Sequence, residues 1–532
     1  VGKLDFEGIP ESDLKYLSTL LQSSVGEPFS EANVATDRDS VLSYYYNNGY
    51  PDATFDWTQT TVEGEHRVNL KYTLRPGKRV YVRSVLLRGL ETTRPSLVDP
   101  RISINPGDPL SQQSIAASQQ KLYDLGVFSK VQTAIQDPGG DEEQKYVLFQ
   151  VDEASRYSFT VGIGAQIARI GGGVTSFDDP AGSTGFSPRV SLGISRINLL
   201  GLGQTLSLNT LLSTIEQRAL VTYLIPRFLN HEKFTLTVSG LYDNASDIRT
   251  FHQQRAEGSI QLAQRLNRQY SVQYRFALRH VTISNLKISP ELIPLLSEPV
   301  RVGMSSITFI QDRRDDPVNS HRGIYNTLDV GIALPEFASQ TDFTRILFRN
   351  TTYHPIGKDI VIARSLQFGY LNRIGGLAEI PMAERWFSGG ATSDRAFPDN
   401  QAGPRDLETG FPLGGNALLF HSTELRFPLI GDNLGGVLFH DMGNVYANVN
   451  DIDFRFRQRN IQDFDYAVQS VGIGFRYRTP IGPIRADFSF SPNAPRFFGF
   501  AGTYQQLIEN QGTLMTQKIN LFQFHFSLGQ TY

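Results

Sequence analysis

The chain has 532 residues and a formal net charge of -3; that length exceeds one ordinary core and implies two or more domains. Near-neutral charge argues against a nucleic-acid partner, because neutralising phosphates takes a clear basic excess. The absence of cysteine excludes disulfides, thiolate metal sites and cysteine nucleophiles.

The first run, "VGKLDFEG", is strand-like from Val1 onward and has no leader before it. We read that start as a processed or trimmed end, with room for further modules upstream. Next come "DLKYLSTLLQSS" and "EANVATDRDSVLSYYYNNG", both with helical spacing, then the alternating "ATFDWTQTT" and "RVNLKYTL". The order strand, helix, helix, strand, strand then recurs. "YVRSVLLRG" ends at Gly89 as "KLDFEG" ends at Gly8, and "GDPLS" at 107–111 echoes "GEPFS" at 26–30. Both offsets are 81 residues, which marks an internal repeat. Two small α+β modules are expected, at 1–78 and 79–155.

From about 156 helical spacing nearly vanishes. In "YSVQYRFALRH", Tyr270, Val272, Tyr274, Phe276 and Leu278 share one face, and Gln273, Arg275 and Arg279 the other. "VGIGFRYR" and "PIRADFSF" set Ile473, Phe475, Phe488 and Phe490 against Arg476, Arg478, Arg485 and Asp487. A soluble sandwich would turn the charged face outward, whereas a membrane barrel would turn it into the lumen. Periodicity alone does not choose; connection lengths do. Roughly sixteen strand-like segments are joined alternately by short turns ("LLGLGQ", "LNRQ", "HPIGKD", "LIGDN", "TPIGP") and long loops (166–186, 285–299, 374–415, 448–466, 491–517). That pattern predicts a transmembrane antiparallel β-barrel over 156–532. No run of about 18 apolar residues marks a membrane-spanning helix. The last run, "NLFQFHFSLGQTY", sets Phe522, Phe524, Phe526 and Leu528 against Gln523, His525, Ser527 and Gly529, an aromatic stripe suited to lipid.

No enzyme, cofactor or metal site is expected. The nine histidines are scattered, "GLGQ" and "GIGF" are glycines on strands, and "DRRDD" (312–316) reads as a charged turn. "SPELIPLLSE" (289–298) is a short amphipathic helix candidate within a long loop, read as a cap over the barrel mouth.

Two βααββ modules ahead of a 16-stranded barrel resemble, over essentially the whole chain, the outer-membrane assembly and translocation superfamily of POTRA-barrel proteins (BamA/TamA-like). "GGATSDRAF" is similar to that family's sixth-loop motif, Val/Ile-Arg-Gly-Phe/Tyr, with Arg395 and Phe397 matching and Asp394 and Ala396 departing. "LFHDMGNVY" (438–446) resembles the strand motif that supplies the arginine's acidic partner, here Asp441; "STELRFPL", "RYRTPIGPIRADFSF", "DRRDDPVNSHRG" and the C-terminal "FHFSLGQTY" are similar to other family segments. The resemblance implies that the loop near 374–415 folds into the barrel and that Arg395 pairs with Asp441. A guanidinium in a partly dehydrated lumen does need a carboxylate. Outside this motif context, a solvated loop arginine is the plainer reading. Gly389 and Gly390 are expected to let the loop turn back, Ala396 to make φ > 0 costly at its position, and Asp394 to compete for Arg395.

The resemblance further implies a bacterial outer-membrane location with the modules in the periplasm. The expected function is assembly and insertion of unfolded outer-membrane protein clients; the alternative is a two-partner secretion transporter passing a polypeptide through the lumen. Outer-membrane lipids and periplasmic or lipoprotein partners on the POTRA domains are the other expected contacts. The edge strands "ATFDWTQTT" and "KVQTAIQD" are candidates for pairing with a client strand. A seam of "SRYSFTVGIG" against "NLFQFHFSLG", weakened at Gly162, Gly164 and Gly529, is expected to open sideways.

Overall fold

The computed structural model describes residues 1–62, 64, 66–135, 142–169, 184–375, 379–431, 433–479, 482–509 and 511–528. They form two compact units, 1–156 with 197–204, and 157–196 with 205–532.

The first unit contains one module twice. Strand Lys3–Glu7 runs parallel to Val68–Arg75, which pairs antiparallel with Thr54–Thr61. In the second copy Tyr81–Arg88 runs parallel to Gln144–Glu153, which pairs antiparallel with Phe128–Ile135. Thr54–Thr61 and Phe128–Ile135 therefore each lie at a sheet edge; Gln136 and Asp137, the tail of the second expected edge segment, lie outside the described residues. Helix Glu31–Asn47 buries Val34, Val41 and Tyr45, and helix Gln112–Tyr123 buries Ile115 and Leu122, so each turns one face to its sheet. The shorter helices differ: Glu11–Leu17 in the first copy, but only the turn Pro95–Val98 in the second.

The repeat reaches down to single atoms. Gly8 and Gly89 have φ of +78° and +98°. A Cβ on Gly8 would lie 2.0 Å from the Leu74 carbonyl oxygen, and one on Gly89 1.9 Å from that of Val151. Asp37 and Ser118, also 81 residues apart, are the fully buried polar residues of the two long helices. Asp37 accepts the N–H groups of Gln22 and Ser23; Ser118 Oγ accepts the N–H of Ser103. Each satisfies loop donors that burial would otherwise leave unpaired.

The second unit is a closed barrel of sixteen strands, with Phe522–Leu528 closing on Tyr157–Arg169. Every strand pair with a described register is antiparallel, as between Phe343–Ile356 and Ile360–Arg373. Alternation holds through the wall. Tyr274, Phe276, Leu278, Ile473, Phe475, Phe488 and Phe490 are exposed outward, whereas Arg279, Asp487 and Ser489 are buried inside. An apolar exterior over a charged interior is the arrangement of a membrane barrel and the inverse of a soluble one.

The connections are less regular than the sequence suggests. Turns at 200–203, 266–269 and 357–359 are short, but 227–233 and 313–322 are longer, and the far end contains the two-residue turn 214–215. The last long loop carries a hairpin, Arg496–Ala501 with Thr513–Lys518, that alternation did not single out. Segment 289–298 forms a 3-10 turn at Pro290–Leu292 and one helical turn at Ile293–Leu296. It packs with Phe251, Val281, Ile283, Ile288 and Met382.

Candidate functional site in the sixth loop

The loop between strands Ile360–Arg373 and Ala417–Ile430 enters the barrel. Ala396, Phe397 and Ala402 are buried there with Val302, Phe343, Leu418, Phe420 and Val468 of the wall. Its body is tied by Arg279, whose Nε donates to Glu384 at 2.8 Å, with both side chains at most 5% exposed. Arg405 donates to the carbonyls of Gln401 and Gly410 and lies 4.1 Å from the Phe497 ring centre.

At the tip, Arg395 Nε donates to Asp441 Oδ2 at 2.6 Å and Nη2 to Oδ1 at 2.7 Å, a bidentate pair with 2% and 1% side-chain exposure. The Arg395 backbone N–H reaches the same carboxylate at 3.2 Å. Nη1 donates to Glu424 at 2.9 Å and lies 3.9 Å from Asp487. The guanidinium carbon is 3.4 Å from the Phe439 ring centre. Ser422 Oγ donates to Asp441 at 2.6 Å. Asp441 faces the lumen with Val437 and Phe439, while Leu438 is exposed outward; His440, on that outer face, meets Gln469. Asp487 is shared with Arg476 and Arg485, and Glu424 with Arg426, so three carboxylates and four guanidinium groups form one lattice on adjacent strands.

Two expectations about the motif are corrected. Asp394 forms no ion pair with Arg395 among the described residues; its Oδ1 accepts the Ala396 N–H at 2.9 Å and lies 3.4 Å from Ser470 Oγ. An Asx turn of this kind turns the carboxylate back onto its own backbone. Ala396 is not at positive φ, so the missing glycine costs no backbone strain there. The left-handed angles fall instead on Gly389, +119°, and Gly390, +92°. A Cβ on Gly389 would meet the Pro398 carbonyl oxygen at 2.6 Å, and one on Gly390 the Asp399 carboxylate at 1.8 Å.

Phe526, Ser527 and Leu528 pair with Ile167, Gln166 and Ala165, and these three residue pairs are all that the described residues contribute to the seam. The last two strands share seven pairs, and Phe343–Ile356 shares fourteen with its neighbour. Gly162 and Gly164 pair with Ser191 and Arg189 of the second strand. Gly529 lies outside the described residues. Phe522 and Phe524 are exposed outward, with Phe524 stacked on Phe526 at 6.4 Å between ring centres.

Glu424, Ser422, Asp487, Ser489, His525 and the Arg279–Glu384 pair were not singled out from sequence as partners of the loop. The signal for Asp487 was present in the alternation that set it on the lumen face with Arg485. Which lumen residue meets which loop residue depends on strand register, which alternation leaves open.

The POTRA family model, described as "Surface antigen variable number repeat", matches residues 1–77 and 80–154. Among curated proteins, "Outer membrane protein assembly factor BamA" of Nitratidesulfovibrio vulgaris is 23% identical over 500 residues, covering 92% of this chain and 59% of the relative. The protein of that name from Neisseria meningitidis is 20% identical over 474 residues, covering 84% of this chain and 57% of the relative. The chain thus spans less than two thirds of the length of either. The crystal structure of BamA from Haemophilus ducreyi lacking POTRA domains 1-3 superimposes with a TM-score of 0.76 at 19% identity, covering 99% of each chain, which shows a shared fold. The model described as "Omp85 superfamily domain" matches residues 198–532, well over half of the chain, and with the closed barrel and the two repeats before it this places the chain in the Omp85 superfamily.

Proposed function

We propose that this chain is an assembly factor of the bacterial outer membrane, with the barrel in the membrane and modules 1–78 and 79–155 in the periplasm. Unfolded outer-membrane protein clients pair with the exposed edges at Thr54–Thr61 and Phe128–Ile135 by adding a strand. They then template on the barrel seam. The observation that carries this reading is a membrane barrel that closes between its first and last strands, Tyr157–Arg169 and Phe522–Leu528, and is preceded by two modules with open sheet edges. The first and last strands are held together by backbone hydrogen bonds and not by a turn, so sideways opening there disrupts no hairpin. The curated relatives' name, assembly factor, supports the reading.

The test is a seam lock. Ala165→Cys with Leu528→Cys bridges a paired position in a chain that has no cysteine of its own. Oxidation is expected to leave the barrel folded and to abolish insertion of a radiolabelled barrel client into liposomes, with recovery on reduction. Full insertion by the oxidised variant overturns lateral opening.

A further inference from the structure

The sixth loop touches both sides of the seam from inside. On one side, Gln166 of the first strand donates from Nε2 to Asp399 Oδ2 at 3.0 Å. The orientation of that amide is set by Arg189, which donates to Gln166 Oε1 at 3.0 Å and leaves the NH2 group for Asp399. On the other side, the Arg395 carbonyl accepts from Ser489 Oγ at 2.6 Å, and His525 Nε2 of the closing strand sits 3.3 Å from the same oxygen. Arg485 donates to the Ala391 carbonyl from the penultimate strand. Gln166 is itself one of the three seam positions, paired with Ser527. The loop segment 391–399 therefore spans the join between the first and last strands.

We propose that Asp399 is a latch residue: it holds the first barrel strand through Gln166 while Arg395 anchors the same loop to the far side, so the seam parts only when Asp399 releases Gln166. This rests on the lateral-opening reading above and names the residues that gate it. The grip has one strong side and one weak side. Arg395 is fixed by a bidentate, buried ion pair, two further polar contacts and a ring face. The first strand is held by one charge-assisted hydrogen bond. Opening accordingly starts on the Gln166 side and leaves the loop on the last strands.

The second glycine of the motif, Gly390, belongs to the same device. The Asp399 carboxylate lies against the Gly390 α-carbon, where a Cβ would sit 1.8 Å from Oδ1. No residue but glycine leaves the carboxylate in place to meet Gln166. This gives Gly390 a role apart from its φ of +92°.

The experiment reads the seam directly and without client. Spin labels on Ala165→Cys and Leu528→Cys in the full chain, reconstituted in liposomes, report the separation of a paired position. The parent is expected to give mostly the short distance. Asp399→Ala and Gln166→Ala are each expected to raise the ratio of long to short distances about tenfold, the effect of losing one hydrogen bond to a charged group. Gly390→Ala is expected to do the same by displacing the carboxylate. Folding of each variant is verified by heat-modifiable mobility. The swap Gln166→Glu with Asp399→Asn reverses donor and acceptor and keeps Arg189 on position 166, so it is expected to restore the short distance. Gln166→Glu alone sets two carboxylates together and is expected to open the seam furthest. An unchanged distance ratio in Asp399→Ala, or failure of the swap to close the seam, overturns the latch. Client insertion is measured in parallel. A seam that widens as expected while insertion is unaffected supports the latch and overturns lateral opening as the route of insertion.

Discussion

Arg395 carries several interactions at once, and each has a distinct physical purpose. The bidentate pair with Asp441 uses the planar fork; Nη1 remains free for Glu424; the cation's open face lies on Phe439. Removing one partner of a buried pair typically costs about 3–5 kcal/mol, mostly because the other charge is left unpaired. Arg395→Ala is therefore expected to cost about that much in barrel unfolding and to expose the loop tip to protease. Asp441→Ala is expected to cost less, because Glu424 still holds the guanidinium. The double variant should be clearly milder than the sum, since members of one network do not add. Arg395→Lys is expected to rescue poorly, for an ammonium cannot meet Asp441 with two parallel bonds. A double-mutant cycle on denaturant midpoints checks all four outcomes, and simple additivity would remove the pair from the account.

Arg395 and Asp441 were legible through the resemblance of their segments to the family's sixth-loop and strand motifs, to which alternation added that Asp441 shares a face with Val437 and Phe439. Glu424 and Ser422 stood in a recognised segment without a signal that tied them to the loop. Asp394 misled because spacing shows proximity in the chain, whereas a short carboxylate satisfies its own turn before it reaches a neighbour.

At the scale of elements, the repeat was the most informative feature, because an offset of 81 residues is independent of propensity. It located Gly8 and Gly89, and the structure shows why alanine is excluded at both. Gly8→Ala and Gly89→Ala combine a left-handed φ with a Cβ inside contact of a carbonyl oxygen, so each is expected to destabilise its module by more than the about 1–3 kcal/mol of backbone strain alone. Thermal unfolding of fragment 1–156 measures this; an unchanged midpoint would show that the strands shift to make room. The same repeat missed Asp37 and Ser118 as counterparts, since residues that differ in type hide a shared task.

Glu153, at the end of strand Gln144–Glu153, adds a pH dependence. Burial raises its carboxyl pKa, but the N–H groups of Thr93, Thr92 and Glu91 outweigh burial and bring it down to about 2. A carboxylate depressed on folding stabilises fully above its unfolded pKa, about 4.3, and loses that contribution as pH falls through the folded value. The fragment is therefore expected to weaken between about pH 4.5 and 2. Glu153→Gln should flatten that part of the profile, because a neutral amide accepts the same N–H groups without titrating. Other carboxylates titrate in the window, so the readout is the difference between parent and variant; identical profiles would show that Glu153 contributes nothing to it.

For the whole molecule, the two units pose opposite problems to water. The first hides its apolar residues in cores between helices and sheets. The second turns Phe159, Val161, Ile163, Phe186, Phe488 and Phe522 outward, at 48–71% exposure, on a wall whose backbone is paired within itself. Alternation in the sequence predicted the two faces, connection lengths predicted a barrel with the charged face inside, and closure of the sheet bears this out. The chain is expected to need detergent, to run faster on gels before heating than after, and to release a soluble fragment of about 150 residues on limited proteolysis, a domain-sized piece. A monodisperse, detergent-free monomer of the full chain would refute the membrane barrel. Because a closed wall has no edge, its first breach under stress is expected between its first and last strands, the neighbours that no turn connects. Backbone amides at 165–167 and 526–528 are therefore expected to exchange hydrogen faster than those of Phe343–Ile356 and Ile360–Arg373, which the short turn 357–359 connects. Hydrogen exchange of the reconstituted barrel, read peptide by peptide, checks this. Protection at the seam equal to that of the turn-connected strands would mean that the sixth loop, rather than strand pairing, supplies the closure.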